Sequence, residues 1–201
     1  MTIALLSTDE LWTELSATAP AVEWKRMNSV DEWAAEKAAA HFYLLENASR
    51  EDFSAIGGPL FIHSVLTPLK DLNAGNAVRI NGWATFLNNS AWEICGALND
   101  ESGAVLKELG KTTIGVPDQP GMISPRIISM IINEAFFALE EKVSTEDEID
   151  LAMKLGTNYP HGPFEWSRRI GEEKIYQLLA KLSVADSRFL PASSLKTKIR
   201  G

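Results

Sequence analysis

The strongest hydrophobic pattern in the chain runs from Ile127 to Glu141. Ile127, Ile128, Ile131, Ile132, Ala135, Phe136 and Leu139 recur at helical spacing on a wide face, so this helix must bury most of its circumference. Thr145-x-x-Glu148 reads as a capping box that starts the next helix. Ile149, Ala152, Met153 and Leu155 form its expected apolar side, and Gly156 its stop. The segment 158–163, NYPHGP, is a tight connector, with Pro163 suited to the first position of a further helix. Ile175, Leu178, Leu179 and Leu182 mark the apolar face of the last long helix.

The front of the chain has a different pattern. Thr2–Leu6 is a short apolar run, followed by Ser7-x-x-Glu10, a second capping box, with Leu11, Trp12 and Leu15 at helical spacing. Strands are predicted at 22–27, 41–45, 59–66, 78–86 and 112–116, and helical segments at 31–40, 50–56, 68–72 and 102–109. The stretch Ala91–Leu98 is compatible with either. Strands alternating with short helices predict an open, mostly parallel α/β sheet, Rossmann-like, followed by an all-α domain. The change of pattern divides the chain into 1–117 and 118–201. The tail Lys196–Gly201 is expected to fray.

Composition narrows the function classes. With 45% hydrophobic and 23% charged residues the chain can bury an ordinary globular core. A net charge of −8 argues against nucleic acid or an anionic membrane as the main partner. The single Cys95 excludes an intrachain disulfide, which fits a reducing cytoplasm. No basic-then-apolar leader and no run of membrane-spanning length is present in the sequence. The three histidines are too scattered to suggest a metal site.

The back half resembles a known family. The stretch LGKTTIGVPDQPGMISPR, the NEA at Asn133–Ala135, EDEIDLA and NYPHGPFE match in order the family pattern LGK, D-x-PGF-x-x-NR, (N)EA, EDID-x-A and N-x-P-x-GP-x-E. That is the pattern of the C-terminal domain of 3-hydroxyacyl-CoA dehydrogenases, and it covers about residues 109–195. The resemblance implies a nucleotide-binding sheet followed by a helical, dimerising domain. It also implies NAD-dependent hydride transfer at the 3-position of an acyl-CoA, served by a His base, a Glu partner, a Ser and an Asn.

The residues needed for that chemistry are mostly replaced. A dinucleotide site needs glycines at the first strand-to-helix turn, where the pyrophosphate approaches helix N–H groups. Here the turn is Leu6-Ser7-Thr8-Asp9-Glu10, without glycine and with two carboxylates. Two like charges ~4 Å apart repel by roughly 1 kcal/mol even in bulk water. Met27-Asn28 stands where an acid would hold the ribose hydroxyls. By resemblance, Ala84 occupies the place of the family His and Pro125 that of the family Asn. Glu93 in Trp92-Glu93-Ile94-Cys95 is either a remnant of the family Glu or a solvated surface residue. Ser64 and Thr67 are the hydroxyls in the Ser-rich family segment, and neighbouring His63 is either a displaced base or a satisfied structural histidine. His161 reads as an exposed loop residue, and Arg168, Arg169 and Lys174 as a solvated helix face. Trp83 and Trp92 read as core residues or as fillers of an emptied cleft.

These readings predict a 3-hydroxyacyl-CoA dehydrogenase-like protein with weak or lost activity. It would be a cytoplasmic homodimer, joined through the helical domain, that binds an acyl-CoA-like molecule or a partner protein. No cofactor is expected. The alternative is a live NAD-dependent 3-hydroxyacyl-CoA (3-hydroxybutyryl-CoA) dehydrogenase of fatty acid metabolism, using Glu93, His63, Ser64 or Thr67 in a rearranged site.

Overall fold

The computed structural model describes residues 1–19, 21–96 and 98–199. The chain forms two compact units, Met1–Met122 and Ile123–Gly201. Ala97 of the ambiguous stretch, and Arg200 and Gly201 of the tail, lie outside the described residues.

In the first unit seven strands form one sheet: β1 (Thr2–Leu6), β2 (Glu23–Met27), β3 (Ala40–Tyr43), β4 (Leu60–His63), β5 (Val78–Ile80), β6 (Ala91–Cys95) and β7 (Thr112–Gly115). Their order is β2-β1-β3-β4-β5-β6-β7. Every pair is parallel except β5 with β6. The chain winds outward from β1 to β2 and then reverses to β3. This makes the carboxyl end of β1 the topological switch point, where open α/β sheets take their ligands. A Rossmann sheet carries two further strands on the β2 side of its first strand. Here β2 is the edge, and residues 28–39 return directly to β3.

Alternating side chains put two apolar layers on the two faces of the sheet. One holds Ile3, Leu5, Phe42, Phe61, Ile80 and Trp92 against Leu11 and Leu15 of α1 (Asp9–Thr18) and Val105, Leu106 and Leu109 in and after α3 (Asp100–Glu108). The other holds Ala4, Leu6, Tyr43 and Ile62 against Trp33 of α2 (Val30–Ala35) and Phe53. Both Trp83 and Trp92 are buried.

Several local expectations need correction. The cap of α1 is Thr8, whose hydroxyl accepts from Leu11 N–H at 3.4 Å, not Ser7. Helix α2 ends at Ala35, since Ala40 is already paired in the sheet. The helix expected at 50–56 is only a 3-10 turn over Ala48–Arg50. The strand expected to reach Phe86 stops at Ile80, because residues 84–88 coil into turns.

In the second unit α4 (Ser124–Glu140) is central and packs on α6 (Pro163–Ile170), α7 (Glu172–Ser183) and α8 (Ser193–Lys198). Asn133 explains the buried amide in an otherwise apolar helix. Its Nδ2 donates to Leu190 O at 2.9 Å and its Oδ1 accepts from Ala192 N–H at 2.8 Å. The tail is therefore helical through Lys198, with Leu195 buried, rather than frayed. α5 (Glu146–Thr157) starts on the Thr145/Glu148 capping box. It runs past Gly156 to Asn158, which takes the left-handed conformation at φ 57°. Its apolar face is not the expected one: Leu155 is 78% exposed and Leu151 54%.

The buried residue of α5 is Asp150. Its carboxylate accepts from Phe164 N–H at 2.7 Å and Glu165 N–H at 3.0 Å, capping α6 from another helix. A Cβ at position 162 would run into that carboxylate, which is why the connector needs Gly162. Glu165 accepts in turn from Gly162 N–H at 3.0 Å and pairs with Lys154. Arg168 is not merely solvated, since it pairs with Glu146 at 3.2 Å and Asp150 at 3.4 Å. His161 is half-buried, with its ring 5.8 Å from that of Trp166, rather than exposed.

Candidate functional site

The switch point begins where β1 ends. Ser7 is buried there with its Oγ unpartnered, and the Thr8 hydroxyl takes one of the free N–H groups of α1, that of Leu11. Asp9 lies in the first turn and accepts from Arg26 Nη2 at 2.6 Å, while the same nitrogen donates to Ser7 O at 3.1 Å. A carboxylate from the chain itself thus pairs with Arg26, whose Nε is without a hydrogen-bond partner among the described residues. The wider field has the same sign. Residues 1–122 carry 8 Lys and Arg against 16 Asp and Glu, a balance of −8, and the remaining 11 and 11 cancel. The whole net charge lies on the sheet unit, and a dinucleotide pyrophosphate does not fit this turn.

The loop from β5 to β6 comes next. Gly82 N–H donates to His63 Nδ1 at 2.9 Å, and His63 Nε2 meets Glu46 Oε1 at 3.0 Å. Because Nδ1 accepts, Nε2 carries the proton and the neutral tautomer is fixed. Glu46 sits just past the carboxyl end of β3; an acid placed straight after a strand was the available sequence signal. His63 is fully buried with both nitrogens engaged, so it is a structural histidine. Farther along, the Glu14 carboxylate of α1 accepts from Thr85 N–H at 2.8 Å and Asn88 N–H at 3.1 Å. Lys111 Nζ donates to Leu87 O at 2.9 Å and Asn89 O at 2.8 Å. Burial lowers the Lys111 pKa. Ala84 and Leu87 are buried in the apolar layer beneath. Residue 84 has no proton-carrying group, and the loop around it is held by side chains on three sides.

Ser64 and Thr67 are brought together, but for structure: Ser64 Oγ donates to Thr67 O at 2.8 Å. Glu93 is buried on β6, two strands from β4, so it is not a solvated surface residue. Between them lies Arg79, which has no exposure. It donates to Ser64 O, to Val65 O at 3.1 Å, to Gln119 O at 2.9 Å and to Asp118 Oδ1 at 2.9 Å. Asp118 also accepts from Leu69 N–H at 2.7 Å and Lys70 N–H at 3.0 Å. Burial works to raise the Asp118 pKa, but these donors and Arg79 hold it below the usual carboxylate value. Val78-Arg79-Ile80 gave no warning of this strut. His63, Ser64, Arg79, Glu14 and Lys111 thus hold loops in place, while Glu93 lies on β6.

A doubly wound sheet followed by a helical domain defines the fold class of this chain, and comparison with known proteins shows what it is similar to. The sequence profile of the 3-hydroxyacyl-CoA dehydrogenase C-terminal domain matches residues 121–199. That profile covers 79 of the 201 residues, so the likeness to 3-hydroxyacyl-CoA dehydrogenases in sequence is a likeness of the helical domain. It is 42% identical over 95 residues to the 3-hydroxyadipyl-CoA dehydrogenase of Escherichia coli, a stretch covering 46% of this chain and 20% of that one. A probable 3-hydroxybutyryl-CoA dehydrogenase of Bacillus subtilis is 33% identical over 99 residues, covering 48% of this chain and 34% of that one. The chain thus spans only 20% and 34% of these two relatives' own lengths. The fold likeness is wider. The structure of (S)-3-hydroxybutyryl-CoA dehydrogenase PaaH1 from Ralstonia eutropha superposes with a TM-score of 0.70 over 99% of this chain and 93% of that chain, at 18% identity.

Proposed function

We propose that this chain is a non-catalytic relative of the 3-hydroxyacyl-CoA dehydrogenases. In this reading residues 1–117 are a Rossmann-like domain that has given up its dinucleotide site, and the helical domain from residue 118 is retained. The observation that carries it is the β1–α1 turn: no glycine, a self-supplied cap at Thr8, and Asp9 paired with Arg26 inside a unit of net charge −8. The retained domain acts as a homodimeric module for an acyl-CoA-like ligand or a partner protein. Exposed Leu151 and Leu155 on α5 support an interface of that kind. Among the described residues no helix is long and apolar enough to cross a membrane.

The alternative, a live dehydrogenase with a rearranged site, has the His63–Glu46 hydrogen bond in its favour. Against it, the lone pair a base would use is already taken by Gly82 N–H. Steady-state turnover of acetoacetyl-CoA with NADH, run beside sedimentation equilibrium, separates the two. No turnover from a stable dimer is the expected result. Turnover that is lost in His63→Gln would establish the alternative.

A further inference from the structure

Strand β7 is the outer edge of the sheet, and all four of its residues are exposed. Thr112 N–H donates to Ser90 O at 2.8 Å and Val116 N–H to Ile94 O at 2.9 Å, both toward β6. Alternate residues of a strand turn their N–H and C=O to opposite sides, so Thr113 and Gly115 present theirs outward. Native sheets blunt such edges with charge, proline, bulges or a covering element. Here Lys111, next to the strand, is folded inward onto two carbonyls, and Pro117 stands beyond its end.

A groove of about 560 Å³ opens beside this edge, lined among others by Leu98, Leu106, Lys107, Gly110 and Thr113. The register pairs Trp92 with Thr113 and Ile94 with Gly115. Trp92 and Ile94 pack in the layer that holds Leu106, so Thr113 and Gly115 lie on the groove side and Ile114 on the other. This identifies the occupant. A second copy pairing through its own β7 would bring only a threonine and a glycine to the groove side, leaving the exposed Leu98 uncovered beside the buried Leu106. Lys107 is exposed and makes no ion pair among the described residues.

We propose that β7 accepts an extended peptide of a partner protein as an eighth strand, with a large apolar side chain in the groove and a carboxylate beside Lys107. This proposal does not depend on the fate of the dinucleotide site.

The probe is an end-blocked heptapeptide of alternating threonine and valine with leucine at its centre and a glutamate near one end. It is titrated into the uniformly labelled whole chain and followed by amide chemical shifts. The expected result is saturable shifts at the Thr113 and Gly115 amides and along Lys107–Gly110. Thr113→Pro, which removes one outward N–H, should weaken binding about tenfold. Replacing the probe leucine by alanine should weaken it by about tenfold or more. If Thr113→Pro does not fold, Lys107→Glu takes its place, and it should reverse the preference between glutamate and lysine probes. Shifts elsewhere or nowhere would overturn the proposal, as would undiminished binding by folded Thr113→Pro or no charge preference in Lys107→Glu. It would equally be overturned by a self-association of the wild-type chain that Thr113→Pro abolishes.

Discussion

Removing the Asp150 carboxylate tests how the helical unit is held together. Asp150 is 4% exposed and supplies the acceptor for two α6 N–H groups, at 2.7 and 3.0 Å. In Asp150→Ala those groups lose their partner and the helix dipole loses its facing charge. Loss of a cap costs about 1–2 kcal/mol, and an N–H left buried without a partner about 1–3 kcal/mol. These contributions overlap, so the expected destabilisation is about 3 kcal/mol, or about 6–12 °C in Tm for a chain of this size. Asp150→Asn keeps one acceptor oxygen and should lose roughly half as much. Urea unfolding gives the total, and hydrogen exchange of the Phe164 and Glu165 amides locates it. Unchanged protection of those two amides, or a loss below about 1 kcal/mol, would refute the trans-capping role.

Three other perturbations follow from the same geometry. In Gly82→Ala the new Cβ would lie 2.8 Å from His63 Cγ and 2.9 Å from its Cβ, and His63 is fully buried. The expected cost is about 1–3 kcal/mol, with faster exchange across residues 82–88; wild-type stability would contradict the packing. Arg79→Met strands Asp118 and three carbonyls and should cost about 3–5 kcal/mol. The double variant with Asp118→Asn should then cost less than the sum of the singles, and strict additivity in a denaturation cycle would argue against coupling. Acid should destabilise the fold. Asp118, Glu148 and Glu165 all have folded pKa values held below their ordinary ones: Asp118 by backbone donors and Arg79 despite its burial, Glu148 by Ser144 and Thr145, and Glu165 by Lys154 and Gly162 N–H. Their stabilisation is therefore present above the unfolded values, about 4–4.5, and lost as pH falls through the folded ones. Urea midpoints should fall below about pH 4.5, more gently in Asp118→Asn, and a flat profile from pH 6 to 3 would count against these contacts.

What could be read beforehand was local and periodic. The apolar runs at 2–6 and 112–116 and the Thr145/Glu148 cap depend on nearest neighbours, and the structure has them. Long-range polar contacts left no such trace. Arg79 sits between two apolar strand residues, and its carbonyl and carboxylate partners come from residues 64–65 and 118–119. Asp150 resembled any polar residue on an amphipathic helix until α6 was placed against it, and the same placement turned Leu155 outward. The end of β5 was missed because Trp83, Ala84 and Phe86 look like strand residues, while Glu14 and Lys111 draw the loop into turns. At the site, the missing glycines and Ala84 were legible as residue types. That Arg26 would be taken by Asp9 was not, since the partners are 17 positions apart.

The central claim is that the carboxyl end of β1 no longer receives a dinucleotide. Isothermal titration of NADH into the intact chain, repeated at low ionic strength where any cationic help is strongest, tests it directly. No saturable heat up to millimolar NADH is predicted. Micromolar binding, with amide shifts at Ser7, Thr8 and Asp9, would contradict it.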